Sequence, residues 1–393
     1  MQSENLNRIF GIENVSNSEI DKITYASDAS TEKGIMSFVI YPKNKEQIRE
    51  FIKSQIRLKQ YDIIPRGAGT GLSGAVVPRD SIILDFQKMN KILEINTEEK
   101  YVIVEPGVVL KELNKKLSKK NLFFPVVPSS EKVCTIGGMI ACNAEGNRAV
   151  KYGKTSNWIL ELEIIDGKGC EIKLDEKKSK EFAGSEGTAG IITKAKLKLT
   201  EDIKKTTLSV FNFEYSSELI EKLISLEDEK GIIAVEFFDK LSAKFSGFDE
   251  KITLIVEYEN NEGIIKNPEE IRKIWEKRES AYPSLVKNGY SIIEDPRIEQ
   301  DKLKVFLDFL TENEIPVFGH IKTGILHPMF KSDEKDKIRS MYNTVNQLKG
   351  EISGEHGYGI SKKEYTPINV KIRISKLKKE YDSYNIFNRG KIL

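Results

Sequence analysis

The sequence predicts an α+β chain of two domains, and three observations carry that reading. At 393 residues it is too long for one ordinary core, given roughly 100–200 residues per domain. Its first half mixes short strand-like runs with amphipathic helical spacings. Beyond residue 207 the segments run strand, helix, strand, strand, the pattern of a ferredoxin-like split βαβ sheet.

In order, MSFVIYP (36–42) alternates as a strand, and NKEQIREFIKSQIRL (44–58) sets Ile48, Phe51, Ile52 and Ile56 on one helical face. YDIIP (61–65), SIILDF (81–86) and YVIVEPG (101–107) read as strands, and LKELNKKLSKKN (110–121) as an amphipathic helix. Strands dominate from 158 to 199, in ILELEIID, GCEIKL and GIITKAKLKL. The charge-rich EDIKKTT (201–207) marks a domain boundary. LSVFNFEY, a helix near 218–227, GIIAVEFFD and ITLIVEYE then supply the split βαβ order, followed by helices near 269–281, 300–314 and 333–348. The tail YDSYNIFNRGKIL (381–393) is too apolar and aromatic to hang loose, so it is expected to pack.

Composition narrows the function classes. Hydrophobic residues are 39%, charged residues 31% and net charge is +2, with no basic block, so nucleic acid is not the expected partner. Three cysteines (Cys134, Cys142, Cys170) without a Cys-x-x-Cys pair argue for a reducing compartment and against an iron–sulfur or cysteine-rich zinc site in this chain. No signal-peptide h-region or apolar run of about 20 residues is evident, so no integral membrane segment is expected. The expected location is the cytoplasm, with a peripheral place at the membrane left open.

PRGAGTGLSGAVVP (65–78) contains GTGLSG, which satisfies G-x-G-x-x-G. A dinucleotide-binding Rossmann turn must open a helix. Here β-branched residues and Pro78 follow, so the motif is read instead as a glycine-dense loop between strands. Such a loop can turn several backbone N–H groups toward one anion, with Thr70 and Ser73 adding hydroxyls. GKT (153–155) lacks the earlier glycine of a P-loop, with Arg148 in its place.

Three further stretches act with this loop: PVVPSSEKVCTIGGMIACNAEGNRAVKYG (125–153), GSEGTAGIITKAKLKL (184–199) and GEISGEHGYGISK (350–362). In content and order the chain resembles the FAD-linked oxidase family of D-lactate dehydrogenases, D-2-hydroxyglutarate dehydrogenases and the FAD subunit of glycolate oxidase. The resemblance implies a two-part PCMH-type FAD-binding domain (1–203, with the tail 375–393 returning to it) and a ferredoxin-like α+β cap domain (204–374). It implies non-covalent FAD, with Arg66, Gly67, Gly69, Thr70, Gly71, Ser73 and Gly74 at the pyrophosphate. Pro128, Ser129, Gly137, Gly138 and Asn143 would run along the ribityl chain and flavin. Glu186, Gly187, Thr188, Gly190 and Ile192 would continue the cofactor wall, and Asn388 of NIFNRGK would return to the flavin, with Arg389 where the family carries proline.

All three histidines fall in one region, and the resemblance gives them roles. FGHIKTGILHP (318–328) aligns His320 and His327 with the histidines of the family's G-H-x-G-D-G-N-L-H, with Lys322, Thr323 and Ile325 replacing Gly, Asp and Asn. Glu355 aligns with an acidic ligand and His356 with the catalytic histidine. Two imidazoles and a carboxylate suit a divalent metal (Zn, Mn or Fe). An imidazole titrating near neutrality suits acceptance of a hydroxyl proton. Arg278, in WEKRESAYP (275–283), resembles the arginine that contacts the substrate carboxylate, which a guanidinium can grip with two prongs. A solvated helix face remains the other reading of that position. The implied activity is oxidation of a D-2-hydroxy acid to the 2-oxo acid, with hydride passing to flavin N5 and electrons going on to a quinone, an electron-transfer flavoprotein or a separate iron–sulfur subunit. Two alternatives stay open: an accessory flavin subunit of a multi-subunit oxidase, and an alkyl-dihydroxyacetone-phosphate-synthase-like enzyme. A homodimer is also left open.

Overall fold

Helix Lys45–Leu58 forms where its spacing requires and buries Ile48, Phe51 and Ile52 completely. This is seen in a computed structural model that describes residues 2–58, 62–203 and 205–393, so Tyr61 of the expected strand and Lys204 of the expected boundary lie outside the described residues. The chain divides into two units: residues 1–145, 154–202 and 356–393, and residues 146–153 and 203–355.

The first unit holds two main sheets. One is four-stranded, in the order Val15–Ser16, Ile35–Ile40, Arg79–Asp85, Ile63–Arg66, and its last three strands run parallel. The second is an antiparallel five-stranded sheet, in the order Ile92–Asn96, Tyr101–Val104, Ile191–Lys198, Ile159–Ile165, Glu171–Leu174. Its core gathers Val102, Leu113, Phe124, Ile136, Leu162, Phe182 and Leu197. The tail packs as its composition requires. Ile63 donates its N–H to Ile386 O and Asn388 donates to Ile63 O, which extends the edge of Ile63–Arg66.

Two boundaries differ from expectation. The return to the first unit comes at His356, not at 375, because residues 357–361 bond to the glycine loop and to Glu186. Residues 146–153 join the second unit, where Arg148 clasps the buried carboxylate of Glu257 through Nε at 2.9 Å and Nη2 at 2.8 Å.

The second unit has a six-stranded sheet in the order Thr207–Phe213, Ile252–Tyr258, Ile232–Phe238, Val317–His320, Ile325–Phe330, Ile292–Ile293. Strand Ile252–Tyr258 lies antiparallel between the two strands that flank helix Ser216–Ser225, which is the split βαβ core expected. The fourth strand, Val317–His320, sits beside Ile232–Phe238, whereas a ferredoxin-like sheet would place it beside the first strand. That placement joins the histidine hairpin directly to Ile232–Phe238.

Candidate functional site

The loop 67–78 links two parallel strands and opens no helix, as the β-branched continuation required. Arg66 ends the strand that enters it. Its guanidinium is buried, stands 5.1 Å from the Tyr25 ring centre, and leaves Nη1 without a hydrogen-bond partner among the described residues. Burial pulls its pKa below the ordinary arginine value, partly offset by Asp28. A buried cation with an orphaned N–H calls for an anion. Gly69 adopts φ +68°, and a Cβ there would lie 2.3 Å from Arg66 Nη2, so a side chain would displace the cation. Asn388 Oδ1 is a second buried orphan, while its Nδ2 donates to Ala75 O at 2.9 Å and Glu186 O at 2.7 Å. A buried guanidinium with one unsatisfied N–H at a glycine-built loop fits a pyrophosphate-bearing dinucleotide, and the Asn388 acceptor offers it a further polar contact.

The other residues expected at the cofactor divide by what they touch. Ser73 is fully buried and donates its hydroxyl to His356 O at 3.0 Å. Gly137 donates to Pro106 O, and Gly138 to the capping Thr135 Oγ1, so these N–H groups hold helix Ile136–Cys142 in place. Asn143 ends that helix in the left-handed region and accepts Ser156 N–H on its side chain. Gly71 O accepts from Ala29 N, and Pro128 O from Glu131 N. Thr188 bonds Ser185 O, and Gly187 and Gly190 pack tightly, on Pro65 and on Ile165 O. Ile192 lies buried in strand Ile191–Lys198. Both Glu186 carboxylate oxygens are spent on the backbone of Tyr358 and Gly359. Gly67 packs on Thr135, Gly74 is left-handed, Thr70 is half-buried and Ser129 is exposed. Sequence reasoning missed Lys391, whose buried ammonium donates to Gly74 O at 3.1 Å and also to Val77 O, tying the tail to the glycine loop.

In the second unit, strands Val317–His320 and Ile325–Phe330 pair with Phe318 opposite His327 and His320 opposite Ile325. The even offset puts both imidazoles on one sheet face, and their ring centres are 5.4 Å apart. Asp295 brings in Glu355: it is fully buried, its Oδ2 accepts the Glu355 N–H at 2.7 Å, and its backbone O accepts Gly354 N–H at 2.8 Å. One ligand atom from each of His320, His327 and Glu355 lies within 4.8 Å of the others. His320 Nδ1 is 2.6 Å from Glu236 Oε1, an arrangement that fixes the tautomer and leaves Nε2 free to ligate.

Arg278 settles as neither a solvated helix face nor an open fork. It is 4% exposed, its Nε is bonded to Glu236, and its guanidinium lies 5.1 Å from the Phe318 ring centre. The Nε edge is therefore committed to the carboxylate that orients His320. Burial would raise the Glu236 carboxyl, but Arg278 and His320 outweigh it and hold it below the ordinary value. Burial likewise opposes the charged form of His320, and Glu236 overcomes it, so that pKa is raised. Sequence reasoning missed Glu236 and Asp295. A lone acid inside the apolar run IIAVEFF was a signal for the first.

Comparison with known proteins gives this arrangement its class. Residues 36–175 match the FAD binding domain, and residues 249–392 match the C-terminal domain of FAD linked oxidases. The chain belongs to the FAD-linked oxidase family and is a flavin-dependent oxidoreductase. It is 29% identical to glycolate oxidase subunit GlcD of Bacillus subtilis (strain 168), over 99% of this chain and 96% of that one. It is 26% identical to D-2-hydroxyglutarate dehydrogenase of Stutzerimonas stutzeri (91% and 90% covered), and 28% to D-lactate dehydrogenase of Archaeoglobus fulgidus (90% and 91%). A solved alkyldihydroxyacetonephosphate synthase shares the fold, with a TM-score of 0.76 at 17% identity over 98% of this chain and 83% of that one. Among the described residues no helix is long and apolar enough to cross a membrane.

Proposed function

We propose that this chain oxidises a small D-2-hydroxy acid to its 2-oxo acid on non-covalent FAD and passes the electrons to an acceptor other than NAD. The observation that carries the reading is the set His320, His327 and Glu355, with ligand atoms within 4.8 Å, in a chain whose glycine loop and orphaned Arg66 suit a dinucleotide anion. When bound, the flavin supplies a hydride acceptor at N5. His356 takes the hydroxyl proton as the C–H hydride leaves, which yields the carbonyl. Arg278 keeps its Nη edge for the substrate carboxylate, with Nε held by Glu236. His320 Nε2, His327 and Glu355 would hold a divalent cation, which would supply positive charge to ease proton loss from a substrate hydroxyl. Glu355 and His356 are consecutive, so one peptide step delivers both a ligand and a proton acceptor.

The test is anaerobic mixing of FAD-loaded protein with D-lactate, glycolate, D-2-hydroxyglutarate and the L-enantiomers, following loss of the flavin's visible absorbance. Bleaching by one D-acid is the expected result. No bleaching by any hydroxy acid would leave the accessory-subunit reading. Elemental analysis of protein purified without chelator or metal resin tests the cation separately: one divalent metal per chain is expected, and a fully active metal-free protein refutes the ligand role.

A further inference from the structure

The peptide that carries His356 is held from two sides within the first unit. On one side Ser73 donates to His356 O, and Ser73 O accepts the N–H groups of Ile360 at 2.8 Å and Ser361 at 3.1 Å. On the other side stands Glu186. Its Oε1 accepts Tyr358 N–H and its Oε2 accepts Gly359 N–H, both at 2.8 Å. Its own backbone is pinned, with its N–H on Ala141 O and its O receiving Asn388 Nδ2. A Cβ on Gly357 would lie 2.5 Å from Glu186 Oε1, so the glycine after His356 lets the carboxylate approach. Each oxygen of this buried carboxylate therefore accepts one N–H of the segment that follows His356.

We infer that Glu186 is a positioning residue for the proton-transfer step: it clamps the 357–359 backbone and thereby sets where the His356 imidazole stands. This rests on the function proposed above, in which His356 accepts the hydroxyl proton. The carboxylate bears on the reaction through the histidine alone, so its effect requires an imidazole at 356. Burial disfavours the charge and raises the Glu186 carboxyl to about 7, opposed first by the Tyr358 and Gly359 N–H groups and then by Lys362 and Lys391. A group kept at this cost for two backbone N–H groups matches a role in holding the loop.

The variant is Glu186→Gln, which retains one acceptor and turns an amide NH2 toward the other backbone donor, so one of the two bonds is lost. Bound FAD and apparent KM are expected to stay within about threefold, while the limiting rate of anaerobic flavin reduction falls roughly tenfold to hundredfold. Combined with His356→Ala, the same substitution should cost less than about twofold further, because residues that act as one unit do not add. A second readout needs no substrate. The chain has three histidines, so imidazole NMR of 15N-histidine-labelled protein resolves them, and only the signal lost in His356→Ala should shift or broaden. Loss of FAD from a folded variant, an unchanged reduction rate, the full penalty in the His356→Ala background, or an unmoved His356 signal would each overturn the inference. If Glu186→Gln does not fold, Glu186→Asp, one methylene too short to reach both N–H groups, is read by the same criteria. Should the wild type be reduced by no hydroxy acid while the His356 signal still moves, the function reading fails and the clamp stands.

Discussion

Glu236→Gln isolates the buried charge pair behind the histidine hairpin. In the native protein Glu236 is fully buried, Arg278 is 4% exposed and His320 is 5% exposed. The carboxylate satisfies both partners, one on each oxygen. The amide keeps the shape but leaves a guanidinium buried without its counter-charge. Removing one partner of a buried pair costs about 3–5 kcal/mol. Arg278→Met removes the cation instead, and the double variant removes both charges at similar volume. The double variant should then recover part of the loss, with a coupling of about 2–3 kcal/mol. Urea unfolding of the four FAD-loaded proteins, read on the second unit's transition, measures the cycle. Additivity within about 0.5 kcal/mol would refute the argument, because it would mean that the two side chains do not share a desolvated contact.

Other outcomes follow from the same geometry. His356→Ala should slow flavin reduction on the order of 10²-fold or more while FAD stays bound, and near-normal reduction would remove it from the mechanism. Arg66→Met should strip FAD, seen as a colourless purified chain that takes up added FAD weakly, since its buried Nη1 is an unsatisfied donor at the glycine loop; a yellow variant with full FAD content contradicts this. Glu186 gives a pH signature. Its folded pKa, about 7, exceeds its ordinary 4.5, so the stability it contributes is fully present below 4.5 and is lost as pH rises through 7. The cations facing it are Lys362, Lys391 and Arg373. Wild type minus Glu186→Gln stability, from urea unfolding across that window, should fall with rising pH; a rise would contradict the burial that shifts the group.

By itself the sequence determined the strands, the amphipathic helices and the motif order, because these depend on period and on neighbours in the chain. The face carrying Ile48, Phe51 and Ile52 follows from 3.6-residue spacing. Exclusion of a Rossmann turn follows from the β-branched residues after GTGLSG, and the gathering of His320, His327 and Glu355 was legible from their family pattern. Only the tertiary structure decided what each side chain meets. Arg278 lies among Lys277 and Glu279, and its neighbours in sequence gave no sign that it is buried against Glu236, 42 residues away. Glu186 read as cofactor wall because its motif lies among cofactor motifs, yet its partners are backbone N–H groups 172 and 173 residues on. The return of the chain at His356 and the place of strand Val317–His320 were settled in the same way. Burial and hydrogen-bond satisfaction are properties of the packed chain, and a buried charge is assigned by whichever distant group can pair with it.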